Sequence, residues 1–172
     1  LVLLFGSNFN VVLPLFATDV LHAGATGFGF LSAAFAIGSF ISTLWLAWSN
    51  SAPTIRRVLF GTLVFGVLEA VFAVSRIYPL SLVLIASVGF AESAFAQLSF
   101  TTLQTVAPDH LRGRVMSVTL LFFDGSVPLG YMLLGWLSGL YGASSALIIG
   151  ALLSLVVAGA GWIWRRRILQ NW

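Results

Sequence analysis

Six times along its 172 residues the chain runs apolar for close to the roughly 20 residues that a helix needs to cross a hydrocarbon core about 30 Å thick. The runs fall at residues 1–18, 27–48, 58–74, 80–103, 115–140 and 144–164. Brief separators divide them, at residues 19–24, 49–53, 75–79, 107–110 and 141–143. Connections this short make consecutive helices antiparallel neighbours, so the sequence predicts one all-α, polytopic bundle of six transmembrane helices without a soluble domain. The first run starts at Leu1, already apolar, with no initiator Met and no basic leader, so the chain reads as a fragment.

Composition supports lipid as the solvent. Hydrophobic residues make up 59% of the chain and charged residues 8%, against about 25% charged in soluble domains, and the mean hydropathy is +1.04. A soluble domain of this length would need polar residues to cover its surface. With no Cys, disulfides and Cys-ligated metals are excluded, and no metal or cofactor is expected.

All eight cations are Arg, and their places set a topology. Arg56 and Arg57, Arg112 and Arg114, and Arg165, Arg166 and Arg167 fall on one side of a six-span arrangement, while Arg76 falls on the other. Cations near span ends stay on the cytoplasmic side, so both ends of the segment are expected there. The net charge of +3 is thus a topology signal and not a nucleic-acid-binding face.

Ionisable groups at membrane depth cost several kcal/mol unless paired, protonated or wet, which makes each a functional candidate. Glu92 falls near the middle of the fourth run, and Ser93, Gln97, Thr101 and Gln104 recur beside it at helical spacing. Such a stripe either lines a wet cavity or hydrogen-bonds one helix to the next. Asp124 falls in the fifth run beside Gly125 and Pro128, where a missing backbone donor predicts a broken or kinked helix. A carboxylate at such a break either serves a transport pathway or packs against a neighbour. Buried carboxylates can take up and release protons as a cavity alternates between sides, although no Arg, Lys or His falls at membrane depth to partner them. Asn8 and Asn10 precede Pro14 in the first run, a polar pair that could line the same cavity. Glu69 lies two turns before Arg76 and is read as its structural ion-pair partner.

The segment Pro108-Asp109-His110-Leu111-Arg112-Gly113-Arg114-Val115-Met116-Ser117 resembles the Pro-acidic-x-x-Arg-Gly-Arg loop that major facilitator superfamily transporters carry between the fourth and fifth helix of each half, and it occupies that position here. Gly6-Ser7-Asn8-Phe9, Leu13-Pro14-Leu15-Phe16-Ala17, Gly24-Ala25-Thr26-Gly27-Phe28-Gly29 and Pro128-Leu129-Gly130 look like the branch containing the enterobactin exporter and macrolide-efflux-like permeases. The resemblance covers essentially the whole chain. It implies helices seven to twelve of a twelve-helix transporter, with the N-terminal six-helix half of the same protein as partner. It also implies a cavity lined by the first, second, fourth and fifth helices of each half. That supports Asn10, Glu92, Ser93, Gln97 and Asp124 as the substrate or proton pathway, and Asp109, Arg112, Gly113 and Arg114 as the cytoplasmic gate. For Asp109 an N-cap on the fifth helix is a second reading. The loop after the second run keeps Arg56-Arg57 but has Ser51-Ala52-Pro53-Thr54-Ile55 where the family's other cytoplasmic motif has Asp and Gly, so latching is not expected there.

The expected function is proton-coupled efflux of small amphipathic molecules by alternating access, in a bacterial inner membrane. A membrane-embedded enzyme and a non-transporting scaffold subunit are the alternatives. Enzyme chemistry does not assemble: His22 and His110 both fall in loops, so no base can reach a mid-membrane Ser nucleophile.

Overall fold

The structure, a computed structural model, describes residues 9–49 and 54–170, the side chains of 9, 10 and 164–170 excepted. Asn8 and the loop residues 50–53 therefore lie outside the described residues. Among the described residues six helical segments follow one another: α1 (Phe9–Leu15, continuing as a π-helical turn over Phe16–Val20), α2 (Gly24–Trp48), α3 (Ile55–Val74), α4 (Tyr78–Val106), α5 (Arg112–Tyr141) and α6 (Ala143–Gln170). Five of these, α2 to α6, are long and apolar enough to cross a membrane. Among the described residues there is no strand, and the chain is a polytopic all-α membrane protein.

The helix ends follow local chemistry. Pro14 sits inside α1, and the helix widens to π geometry just beyond it. There Thr18 Oγ1 donates to the Pro14 and Leu15 carbonyls at 3.0 and 3.2 Å. Pro79 occupies the first turn of α4, where its missing N–H costs nothing. Gly142, with φ at 83°, is the turn between α5 and α6; a left-handed residue allows so abrupt a reversal, and Gly adopts it without strain. Pro128 does not break α5, which runs unbroken from Arg112 to Tyr141. Of the broken or kinked helix expected there, the break is absent, because neighbouring turns hold the helix while the Asp124 carbonyl loses its i+4 donor.

Packing is uneven along the bundle. The apolar core joins Val12, Leu13 and Phe16 of α1 to Phe65 and Phe72 of α3, Ile85 and Val88 of α4, Leu134 of α5, and Ala146 and Leu147 of α6. Phe16 and Phe72 meet with ring centroids 4.7 Å apart. These residues cluster where α1, α3 and α5 end and α4 and α6 begin. Towards the other end, which carries the arginines of the α2–α3 and α4–α5 connections, α5 buries nothing before Gly130 and α4 buries nothing after Phe95. The helices α4 and α5 are thus covered at one end and uncovered at the other.

Glycines set the tightest helix contact. A Cβ added to Gly38 of α2 would run into the Ala86 carbonyl of α4, and one added to Gly89 of α4 would run into the Phe35 carbonyl of α2. The two backbones therefore touch, as small residues allow between membrane helices. The Ser39 hydroxyl donates to the Gly89 carbonyl at 3.1 Å across the same contact.

Candidate functional site

The polar residues of α4 separate into two sets by helical phase. Gln97 Nε2 donates to Ser93 Oγ at 2.8 Å and to Thr43 Oγ1 of α2 at 2.9 Å, forming a polar seam between α2 and α4. Glu92 is one residue, or about 100° of helix, away from Ser93, and it faces a different neighbour. Its carboxylate lies close enough to Glu69 of α3 for the two to interact electrostatically. Most other hydroxyls of α4 turn back on their own helix, among them Ser99 to the Phe95 carbonyl, Thr101 to Gln97 and Thr102 to Leu98. The stripe read from the sequence is thus less continuous than its spacing suggests, because Ser and Thr satisfy themselves locally.

Glu69 is the residue that the sequence reading misplaced. Its side chain is 1% exposed, and its Oε2 atom is buried without a hydrogen-bond partner. Arg76 does not reach it, because α3 ends at Val74, Ser75 turns to extended backbone, and Arg76 is left exposed. The ion pair at the α4–α5 connection joins Arg112 to Asp109 and involves neither Glu69 nor Arg76. A signal was available: Thr62, Phe65, Gly66, Glu69, Phe72 and Ala73 form the buried face of α3, a spacing of three and four that places Glu69 in phase with the core.

Asp124 lies apart from both sets. It is exposed on α5, whose neighbouring Phe123 stacks on Phe100 of α4 with centroids 4.5 Å apart. Phe100 is about 12 Å of helical rise further along α4 than Glu92, so the two carboxylates sit at different levels. Asn10 belongs to α1, and its side chain lies outside the described residues.

At the connection between α4 and α5, Arg112 Nη2 donates to Asp109 Oδ1 at 2.6 Å and Arg112 Nε donates to the Gln104 carbonyl at 3.0 Å. Arg112 therefore ties the last turn of α4 to the loop and to the start of α5. Asp109 is not the N-cap: Leu111 holds that position and makes no side-chain cap bond. Gly113 and Arg114 are exposed in the first turn of α5.

A groove of about 2010 Å³ runs along the face of α4 between α2 and α3. Those two helices both pack on α4 but make no extensive contact with each other. Gln97 and Thr43 line the groove, whereas Glu92, Ser93 and Asp124 do not. Val83, Ser87, Phe90, Ala94, Gln97 and Thr101 supply its floor at three- and four-residue spacing, which puts Glu92 about half a turn away, on the opposite side of α4. Among the described residues no cluster of His, Cys, Asp and Glu could hold a metal.

The sequence profile of the Major Facilitator Superfamily matches residues 1–170. The chain is 35% identical over 153 residues to the multidrug efflux pump Tap of Mycolicibacterium fortuitum. That match covers 87% of this chain and 37% of the pump, so the chain spans well under half the length of this curated relative. No solved structure matches it. The family match, extending over nearly the whole chain, makes it a member of the Major Facilitator Superfamily.

Proposed function

We propose that this chain is the C-terminal six-helix half of a secondary transporter that exports small amphipathic molecules by alternating access, coupled to protons. The observation that carries the proton reading is the carboxylate of Glu69, 1% exposed with its Oε2 atom unpartnered, on the core-facing side of α3. A carboxylate at that depth is a functional candidate, because its charged form is costly away from water. Efflux is supported by the similarity to a multidrug efflux pump. The length of that pump supports a second, N-terminal half as partner.

In this reading Asn10, Glu92, Ser93, Gln97 and Asp124 serve the substrate or proton pathway, with Glu69 added to them. Asp109, Arg112, Gly113 and Arg114 form the cytoplasmic gate, where the Arg112 contacts to Asp109 and Gln104 couple the ends of α4 and α5. The loose packing at the arginine-bearing end suits a half whose cavity opens there, towards the cytoplasm. Both ends of the segment are then cytoplasmic, the membrane is a bacterial inner membrane, and the branch is that of the enterobactin exporter and the macrolide-efflux-like permeases.

The test is flux by the purified full-length protein in vesicles. A pH gradient should drive a cationic amphipathic dye, and Glu92→Gln should abolish the dependence on the gradient. Undiminished pH-driven flux in both Glu92→Gln and Asp124→Asn would rule out proton coupling through these groups. Absence of flux with any amphipathic probe would favour the scaffold reading.

A further inference from the structure

We infer that the groove between α2 and α3 holds an anionic phospholipid, with its phosphate at Arg56 and Arg57 and an acyl chain lying along α4. Three features meet at one end of this groove. Arg56 and Arg57, both exposed, belong to its lining. They sit in the first turn of α3, which contains no acidic residue, so the positive end of the helix dipole adds to their charge in attracting an anion. The Ser49 and Thr54 hydroxyls flank the same end.

Beyond this polar mouth the walls become apolar. Ile41 and Trp45 of α2, Phe60 and Val64 of α3, and Phe90 of α4 line the groove. Ile41, Trp45 and Phe60 are each more than half exposed. From Arg57 to Leu68, the last α3 residue in the lining, the helical rise is about 17 Å, close to the roughly 15 Å of one leaflet of the hydrocarbon core. The groove therefore has the depth of one acyl chain and a cationic head end at the level where phosphates lie. Charge complementarity selects an anionic headgroup over a zwitterionic one, because a pair of adjacent arginines near a membrane surface attracts net negative charge. Glu92 and Glu69 do not oppose that attraction: Glu92 lies across α4 from the groove, and Glu69 is buried on the core face of α3. The site meets the proposed transport pathway at Gln97, on its floor, whose amide bonds to Thr43, so an occupying lipid would brace the α2–α4 seam.

The experiment measures lipid binding by the purified, delipidated full-length protein using native mass spectrometry, with phosphatidylglycerol and phosphatidylcholine of matched chains as probes. Phosphatidylglycerol should bind about tenfold more tightly, and the Arg56→Gln/Arg57→Gln double variant should erase that preference while keeping phosphatidylcholine binding and the melting temperature. Val64→Trp, which fills the groove below the arginines, should weaken both lipids alike. Equal binding of the two lipids by the parent protein overturns the proposal, as does a double variant that keeps the preference. Competition by inorganic phosphate as effective as that by phosphatidylglycerol also overturns it, since the acyl chain would then contribute nothing.

Discussion

A carboxylate with 1% exposure and an unpartnered Oε2 atom, as in Glu69, is costly inside an apolar bundle unless it carries a proton or a function. If Glu69 shares proton transfer with Glu92, the near-isosteric Glu69→Gln should leave the melting temperature of the protein close to its parent value. It should cut pH-driven flux by about a hundredfold, the low end for losing a proton-transferring group; flux unchanged to within a factor of two would make Glu69 structural. Gln97 permits a separate measurement, because its amide bridges Ser93 and Thr43. A double-mutant cycle on Gln97→Leu and Thr43→Val should return a coupling near 0.6 kcal/mol, the average for hydrogen bonds between membrane helices. The Arg112–Asp109 pair is exposed at both side chains, and exposed pairs contribute at most about 1 kcal/mol. Any large effect of Arg112→Gln on flux would then report gating and not unfolding.

At the scale of elements, the helices form where the apolar runs are, and their junctions depend on single glycines. Gly38→Ala and Gly89→Ala should each cost about 1–3 kcal/mol in thermal or denaturant unfolding, because each new methyl meets a backbone carbonyl that cannot move without separating α2 from α4. Gly29→Ala provides the contrast: nothing lies within 4 Å of its added Cβ, so the change should be neutral or stabilise α2 by about 0.5–1 kcal/mol through helix propensity. If both classes of variant unfolded alike, the close α2–α4 crossing would be wrong. Gly142 at φ 83° and ψ 160° belongs to neither class; Gly142→Ala should destabilise the α5–α6 turn by about 1–3 kcal/mol, because that backbone region is essentially restricted to Gly.

For the whole molecule, the uneven core makes a prediction about water. The first half of α5 is uncovered, and Asp124 lies on it, exposed. Because this segment contains no Cys, Asp124→Cys in an otherwise Cys-free full-length protein should react with a membrane-impermeant maleimide, and a transported dye should change the rate. Leu134→Cys, buried in the core, should stay unreactive; equal labelling of both would contradict a closed end and an open end. The sequence by itself determined the membrane as solvent, the approximate helix limits and the loop carrying Asp109 and Arg112, because bilayer thickness and backbone hydrogen bonding act on each segment independently. Only the tertiary structure decided which carboxylates are buried. The burial of Glu69 on the core face of α3, the exposure of Asp124 and the groove ending at Arg56 and Arg57 depend on helix rotation and on where glycines let two backbones touch. Those are set by contacts between segments distant in the chain, and neither hydropathy nor spacing within a single run records them.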